Sequence, residues 1–308
     1  MKYINIVNGP QNASAVVLGC MRMPKLSVKD ASGMLRTALD LGVNFFDQAT
    51  CYGNGEAEQR FGDAFAAAGL KREDVILQSK CGLHFDRQEF DWSRSDILES
   101  VDGSLARLKT DYLDVLLLHR PDLLFEPEQV AEAFEKLFAS GKVRHFGVSN
   151  VTPGQLMLLK KYVRQPLVIN QLQFSLDQTQ LIDTGLYLNN LTTERSVDRD
   201  NGVLDYCRLN DITIQAWSPL QIGMFKGCFV DHPDYPKLNQ ALSELGEKYG
   251  VSKTAVAIAW ILRHPARMQT IAGTMDPEHL KDICAASGVS LTHQEWYKLY
   301  LASGKVLP

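Results

Sequence analysis

The sequence predicts an α/β chain closed into a (β/α)8 barrel of the TIM type, and three observations predict it. Short β-rich runs alternate with longer helical patterns, the alternation repeats eight times, and no glycine-rich fingerprint follows the first strand. Alternation of this kind argues for a parallel sheet, and eight units in about 250 residues is the size of a closed barrel. A doubly wound open sheet is the competing arrangement. It usually carries its glycine motif after the first strand, where this chain reads LGCMRM.

Taken in order, AVVLG (15–19) precedes VKDASGMLRTALDLG (28–42), whose apolar residues recur at three and four. NFFD (44–47) precedes EAEQRFGDAFAAAG (56–69), VILQSK (75–80) precedes RSDILESVDGSLARLK (94–109), and YLDVLLLH (112–119) precedes PEQVAEAFEKLFASG (127–141). KVRHFGVSN (142–150) is followed by TPGQLMLLKKYV (152–163), and LVINQLQ (167–173) by a helix near VLDYCRLN (203–210). ITIQAWSPL (212–220) then leads to a helix near VSKTAVAIAWILRHP (251–265), and MQTIAG (268–273) to DPEHLKDICAASG (276–288). Residues 3–17 are expected to form a hairpin plugging the barrel bottom, with its turn near Asn8-Gly9-Pro10, and LTHQEWYKLYLASG (291–304) an extra C-terminal helix. No composition shift or Gly/Ser linker divides the chain, so 1–308 is expected to be a single domain. Two connections, Phe174 to Gly202 and Gln221 to Pro236, are long for βα loops and suit lids, binding loops or disorder.

Composition narrows the function classes. Hydrophobic residues make up 45% of the chain and the net charge is -4, without the basic excess of a nucleic-acid binder. No window approaches the ~20 apolar residues of a membrane span, and MKYINIVNGPQ lacks the apolar stretch of a signal peptide. Six cysteines at 20, 51, 81, 207, 228 and 284 lack CxxC spacing, which suits a reducing compartment and a cytoplasmic protein. The oligomeric state is left open.

The chemistry gathers where apolar strands run out. Asp47 closes one run, Lys80 the next and His119 the third, while Tyr52 follows Asp47 on its loop. Side chains alternate along a strand, so Asp47 shares a face with Phe45, Lys80 with Gln78 and Ile76, and His119 with Leu117 and Val115. If those faces point inward, all three project into the barrel mouth, with Tyr52 leaning over them. An acid, a phenol, an amine and an imidazole so placed suit carbonyl reduction. A phenol titrates near 10, and a neighbouring ammonium favours its ionised form. A drop of about three units needs roughly 4 kcal/mol. Asp47 would hold Lys80, and neutral His119 would donate to the substrate oxygen. Hydride must come from a cofactor. Each residue also has a plainer role: Asp47 a helix cap, Lys80 and His119 polar groups at a rim, Tyr52 a packed aromatic. Cys20, Cys51, Cys81 and His84 could suggest a metal, but Cys81 neighbours Lys80 and so should face the helices, and no metal is expected.

These residues resemble the aldo-keto reductase family, nearest its bacterial oxidoreductase branch. LGVNFFDQATCYGNGEAEQRFGDAF, LQSKCG, DYLDVLLLHRPD, SGKVRHFGVSN, INQLQFS, AWSPL and AGTMDPEHL carry the resemblance nearly end to end. It implies a barrel binding an extended nicotinamide dinucleotide, with Asp47, Tyr52, Lys80 and His119 as catalytic tetrad and Tyr52 as general acid. It also implies Ser149, Asn150 and Gln171 at the nicotinamide carboxamide, and Trp217 stacked on the ring where Tyr is usual. Without the resemblance, Ser149-Asn150 is better read as a helix cap before Thr152-Pro153. Ser218 and Leu220 would sit at the pyrophosphate under a 221–236 strap, with Met21 and Arg22 as further contacts by position. At the adenosine end the usual basic residues are replaced by Gly273 and His279, with Thr274 between and Lys281 beyond. Backbone N–H groups at a helix start could bind phosphate there. NADP(H) is nevertheless expected ahead of NAD(H), with a small aldehyde or ketone as substrate. Phe85, Phe90 and Trp92 are expected to wall an apolar pocket, or else to pack against helices. The alternative function is a cofactor-binding regulatory or sensor protein with little turnover.

Overall fold

In a computed structural model, which describes residues 1–187, 194–224 and 226–308, eight parallel strands close on themselves. The first third holds β1 (Tyr3–Ile4), β2 (Ala13–Ser14), β3 (Val16–Gly19), α1 (Val28–Asp40), β4 (Phe45–Asp47), α2 (Glu56–Ala68), β5 (Ile76–Cys81), β6 (Leu83–His84), β7 (Glu89–Phe90) and α3 (Arg94–Leu108). The middle third adds β8 (Leu113–Leu118), α4 (Pro127–Ala139), β9 (Val143–Ser149), α5 (Pro153–Tyr162), β10 (Leu167–Gln173), α6 (Gln180–Leu186) and α7 (Val203–Leu209). The chain ends with β11 (Thr213–Trp217), α8 (Pro236–Tyr249), α9 (Lys253–Leu262), β12 (Gln269–Ala272), α10 (Pro277–Ala285) and α11 (His293–Ala302). Around the barrel the order is β3, β4, β5, β8, β9, β10, β11, β12 and back to β3, which is chain order. The expected (β/α)8 fold is present.

Local chemistry accounts for these elements. All six residues of β8, LDVLLL, are buried, as befits a strand with helices on one face and a filled lumen on the other. Ser27, Ser93 and Thr152 each accept the backbone N–H three residues on, which starts α1, α3 and α5. Phe45, Val115 and Leu117 pack inside the barrel with Val17, Ile169 and Ile271, as strand parity predicts. A larger cluster, including Leu116, Leu118 and Phe146, fills the space between strands and helices.

The N-terminal hairpin is shorter than the expected 3–17 span. β1 pairs Tyr3 with Ser14 and Ile4 with Ala13, and Val16 already belongs to the barrel because it pairs with Thr270. The turn still centres on the expected residues: Ile6 N–H donates to Pro10 O and Asn8 is left-handed at φ 54°. Ile6 and Ala13 are fully buried in the interior cluster, so the hairpin does seal the barrel floor. The Phe174–Gly202 connection contains α6 rather than loop throughout, and its residues 188–193 lie outside the described residues. The β6–β7 hairpin and α8 were not anticipated. The buried spacing of Leu238, Ala241, Leu242 and Leu245 marks α8 as amphipathic, but a repeating barrel needs one helix per strand and this is a second. The C-terminal helix α11 is present as expected, and its Trp296 stacks on Trp260 of α9 at 4.8 Å between ring centroids. Among the described residues no helix is long and apolar enough to cross a membrane.

Gly62 of α2 touches the end of α3: a Cβ there would lie 2.3 Å from Arg107 O and 3.0 Å from the Leu108 carbonyl carbon. Ala is the better helix former by about 1 kcal/mol, yet Gly62→Ala should destabilise the fold by roughly 1–3 kcal/mol through overpacking. Denaturant titration checks this, and a stability equal to or above wild type would refute the close approach.

Candidate active site

The C-terminal mouth of the barrel brings the four polar positions together. Asp47 ends β4, and in register it faces Gln78 of β5. Two residues on, Lys80 points the same way and is fully buried. Its Nζ donates to Asp47 Oδ2 at 2.7 Å, to the Gln48 carbonyl at 2.8 Å and to Tyr52 Oη at 3.1 Å. An ammonium has three donors, and all three are spent on protein acceptors. Tyr52 therefore accepts from Lys80, and its own proton is left for the cavity. Its ring lies 4.8 Å from Nζ and makes an edge contact with His119 at 5.8 Å between centroids.

Electrostatics follow from burial and this pairing. Burial works against the charge on Lys80, but Asp47 and Tyr52 together outweigh it and raise its pKa. The expected fall in the Tyr52 pKa does not occur in this site. Burial pushes the phenol up to about 12, and Lys80 offsets only part of that because Asp47 stands beside it. His119 is held well below its ordinary value by burial and by the positive charges of Lys80 and Arg120, so it is neutral, as expected.

Beneath the tetrad runs a chain of buried glutamines that the sequence reading missed. Gln78 and Gln171 both donate to Asp47 Oδ1, at 2.6 and 3.2 Å, and both also reach Gln215 Oε1. Gln215 donates to Gln269, which donates to Ser14 O in the hairpin at the floor. The available signal was parity: Gln78 sits two residues before Lys80 on the same inward face.

A cavity of about 1400 Å³ opens above these groups. Ser149, Asn150 and Gln171 adjoin on its wall: Asn150 Nδ2 donates to Ser149 Oγ at 2.7 Å, and Ser149 Oγ donates to Gln171 O at 2.9 Å. They do not serve as the helix cap, because Thr152 and Gln155 form a capping box at the start of α5. Trp217 also lines the cavity, its Nε1 donating to Asn150 Oδ1 at 3.1 Å. Met21, Arg22, Ser218, Leu220, Gly273 and Thr274 continue the wall. Arg22 Nη1 donates to Gly273 O at 2.9 Å and has no carboxylate partner among the described residues. The segment after β10 latches the 221–236 connection: Asp177 accepts from Gly223 N and Tyr235 Oη.

Three placements differ from expectation. Trp92 is fully buried against Phe125 rather than on the pocket wall, while the β6–β7 hairpin carries Phe85 and Phe90 to the cavity together with Leu83. His279 lies outside the cavity wall, exposed on the first turn of α10. The N–H groups at that helix start are not free for phosphate, since the Asp276 carboxylate accepts from Glu278 N and His279 N. Cys81 and Cys20 face the helix layer while Cys51 faces the cavity, so the three thiols do not converge.

The aldo/keto reductase family profile matches residues 15–300. The chain is 34% identical over 301 residues to the oxidoreductase YcsN of Bacillus subtilis (strain 168), covering 94% of each. It is also 34% identical over 305 residues to a 6-dehydroglucose reductase of Agrobacterium fabrum (strain C58), covering 95% of each. The crystal structure of an aldo-keto reductase from Klebsiella pneumoniae in complex with NADPH superposes with a TM-score of 0.76 at 27% identity, over 97% of this chain and 94% of that one. With a family match nearly end to end, on a barrel whose mouth holds these four residues, the chain belongs to the aldo/keto reductase family of NAD(P)H-dependent oxidoreductases.

Proposed function

We propose that this protein reduces the carbonyl of an aldehyde or ketone, with Tyr52 as general acid. One observation carries the reading: Lys80 spends all three protons on Asp47, Gln48 O and Tyr52 Oη, so the phenol and not the ammonium has a hydrogen left to give a substrate oxygen. When bound, the nicotinamide dinucleotide supplies hydride to the carbonyl carbon. Tyr52 delivers the proton to the oxygen, and a phenol of pKa about 12 does so readily because an alkoxide is a stronger base. Lys80 then stabilises the phenolate. His119, neutral, orients the oxygen by hydrogen bonding. Ser149, Asn150 and Gln171 offer donors and acceptors for the carboxamide, Trp217 a face for the ring, and Ser218, Leu220 and Met21 polar and apolar contacts along the dinucleotide.

NADP(H) is assigned ahead of NAD(H). The NADPH-bound relative supports this, as does the uncompensated Arg22 guanidinium. A Cβ at Gly273 would lie 2.8 Å from Arg22 Nη1, so Arg22 occupies the space a basic side chain at 273 would take. Gly273 and Thr274 are assigned to the phosphate with it, and His279 and Lys281 to its outer edge. The whole chain is read as one domain. The cytoplasm is assigned as its compartment, supported by six free cysteines.

Tyr52→Phe should lower steady-state NADPH oxidation on aldehydes, ketones and quinones by roughly 10²–10⁴-fold. The panel should include a sugar-derived aldehyde, since one relative is named for 6-dehydroglucose. Equal slow rates in both proteins would instead mark a cofactor-binding sensor.

The raised phenol stays protonated below about 12 and is lost as an acid only as pH rises through that value. The kcat for reduction should therefore stay level from about pH 7 to 10, where an ordinary phenol is already half ionised. A fall centred near pH 8 would contradict the raised phenol.

Arg22→Ala should raise the Kd for NADPH on the order of tenfold or more and that for NADH less, read by fluorescence titration. Equal losses would place Arg22 at the pyrophosphate that both coenzymes share.

A further inference from the structure

We propose that Cys51 sets the tautomer of His119: its thiol donates to Nδ1, so the single imidazole proton sits on Nε2 and is offered to the substrate. The inference rests on the carbonyl-reduction reading above and deepens it. Cys51 Sγ lies 3.4 Å from His119 Nδ1, within range for a hydrogen bond to sulfur. Among the described residues this is the one hydrogen bond made by the imidazole side chain. The thiol is held in place, 7% exposed and packed with Ala49 and Leu83 beside Tyr52. Both Cys51 and His119 line the cavity.

A neutral imidazole has one N–H and one lone pair, and what the first nitrogen meets decides what the second presents. Burial pushes the Cys51 thiol up to about 11, so at neutral pH it carries a proton to donate. With Nδ1 accepting that proton's hydrogen bond, Nε2 must be N–H. A carbonyl oxygen only accepts, so this tautomer gives it two donors, Nε2–H and the Tyr52 hydroxyl. The reverse tautomer would leave the S–H without an acceptor among the described residues. It would also turn a lone pair at Nε2 toward the cavity, where it repels the carbonyl oxygen and competes for the Tyr52 proton. Cys51 touches His119 rather than substrate, and so is a positioning residue.

Histidine-selective ¹⁵N labelling of the ligand-free protein tests this directly. Long-range ¹H–¹⁵N correlations report the tautomer, and the His119 signals are those lost in His119→Gln. Wild type and Cys51→Ser should both show the Nε2–H pattern, since a hydroxyl is the stronger donor. In Cys51→Ala the Nδ1 signal should move toward a mixture of tautomers. The kcat for carbonyl reduction should fall on the order of three- to tenfold in Cys51→Ala, with KM changed less, and Cys51→Ser should restore it. An Nδ1–H pattern in wild type overturns the proposal, as does an unchanged pattern and kcat in Cys51→Ala. An Nε2–H pattern in a wild-type protein that fails to turn over any carbonyl supports the tautomer assignment and counts against the carbonyl-reduction reading alone.

Discussion

A single buried ammonium organises the barrel mouth. Lys80 is fully buried, and a charge removed from water costs several kcal/mol unless it is paired and its remaining donors are satisfied. Asp47 supplies the counter-charge at 2.7 Å, and the Gln48 carbonyl and Tyr52 hydroxyl take the other two protons. The same residue anchors the loop through its backbone, since Thr50 N–H donates to Lys80 O. The segment from Asp47 to Tyr52 is thus held from two sides, which gives the phenol one defined direction.

Asp47 is in turn fixed from below. Gln78 and Gln171 donate to its second oxygen, and Gln215 and Gln269 extend the chain to the hairpin at the floor. Their N–H groups find acceptors inside a lumen that otherwise holds Phe45, Val115 and Leu117, while Gln78 Oε1 has no partner among the described residues. The donated bonds hold the Asp47 carboxylate in one orientation. The carboxylate also sets the acidity of the site. By neutralising Lys80 it lets burial dominate the phenol, which rises to about 12 instead of falling.

The far end of the cavity is built differently. Asp276 caps α10 and occupies the N–H groups that could have met a phosphate. A cation without a carboxylate partner among the described residues comes from the other side of the mouth, where Arg22 reaches from the loop after β3 to Gly273. Gly273 makes room for it, because a side chain at that position would collide with the guanidinium.

The sequence by itself determined the eight-fold βα rhythm, the floor hairpin and the C-terminal helix, because those rest on local periodicity. It also determined the convergence of Asp47, Lys80 and His119, since strand parity assigns each side chain to a face once the barrel is granted. Tertiary structure alone decided that Tyr52 is raised rather than lowered in pKa, which depends on a counter-charge brought to 2.7 Å from another strand. It likewise decided that Trp92 is core and that a thiol meets His119 across 68 residues of chain. Each of those outcomes is a distance between elements remote in sequence, and no pattern within one element encodes it.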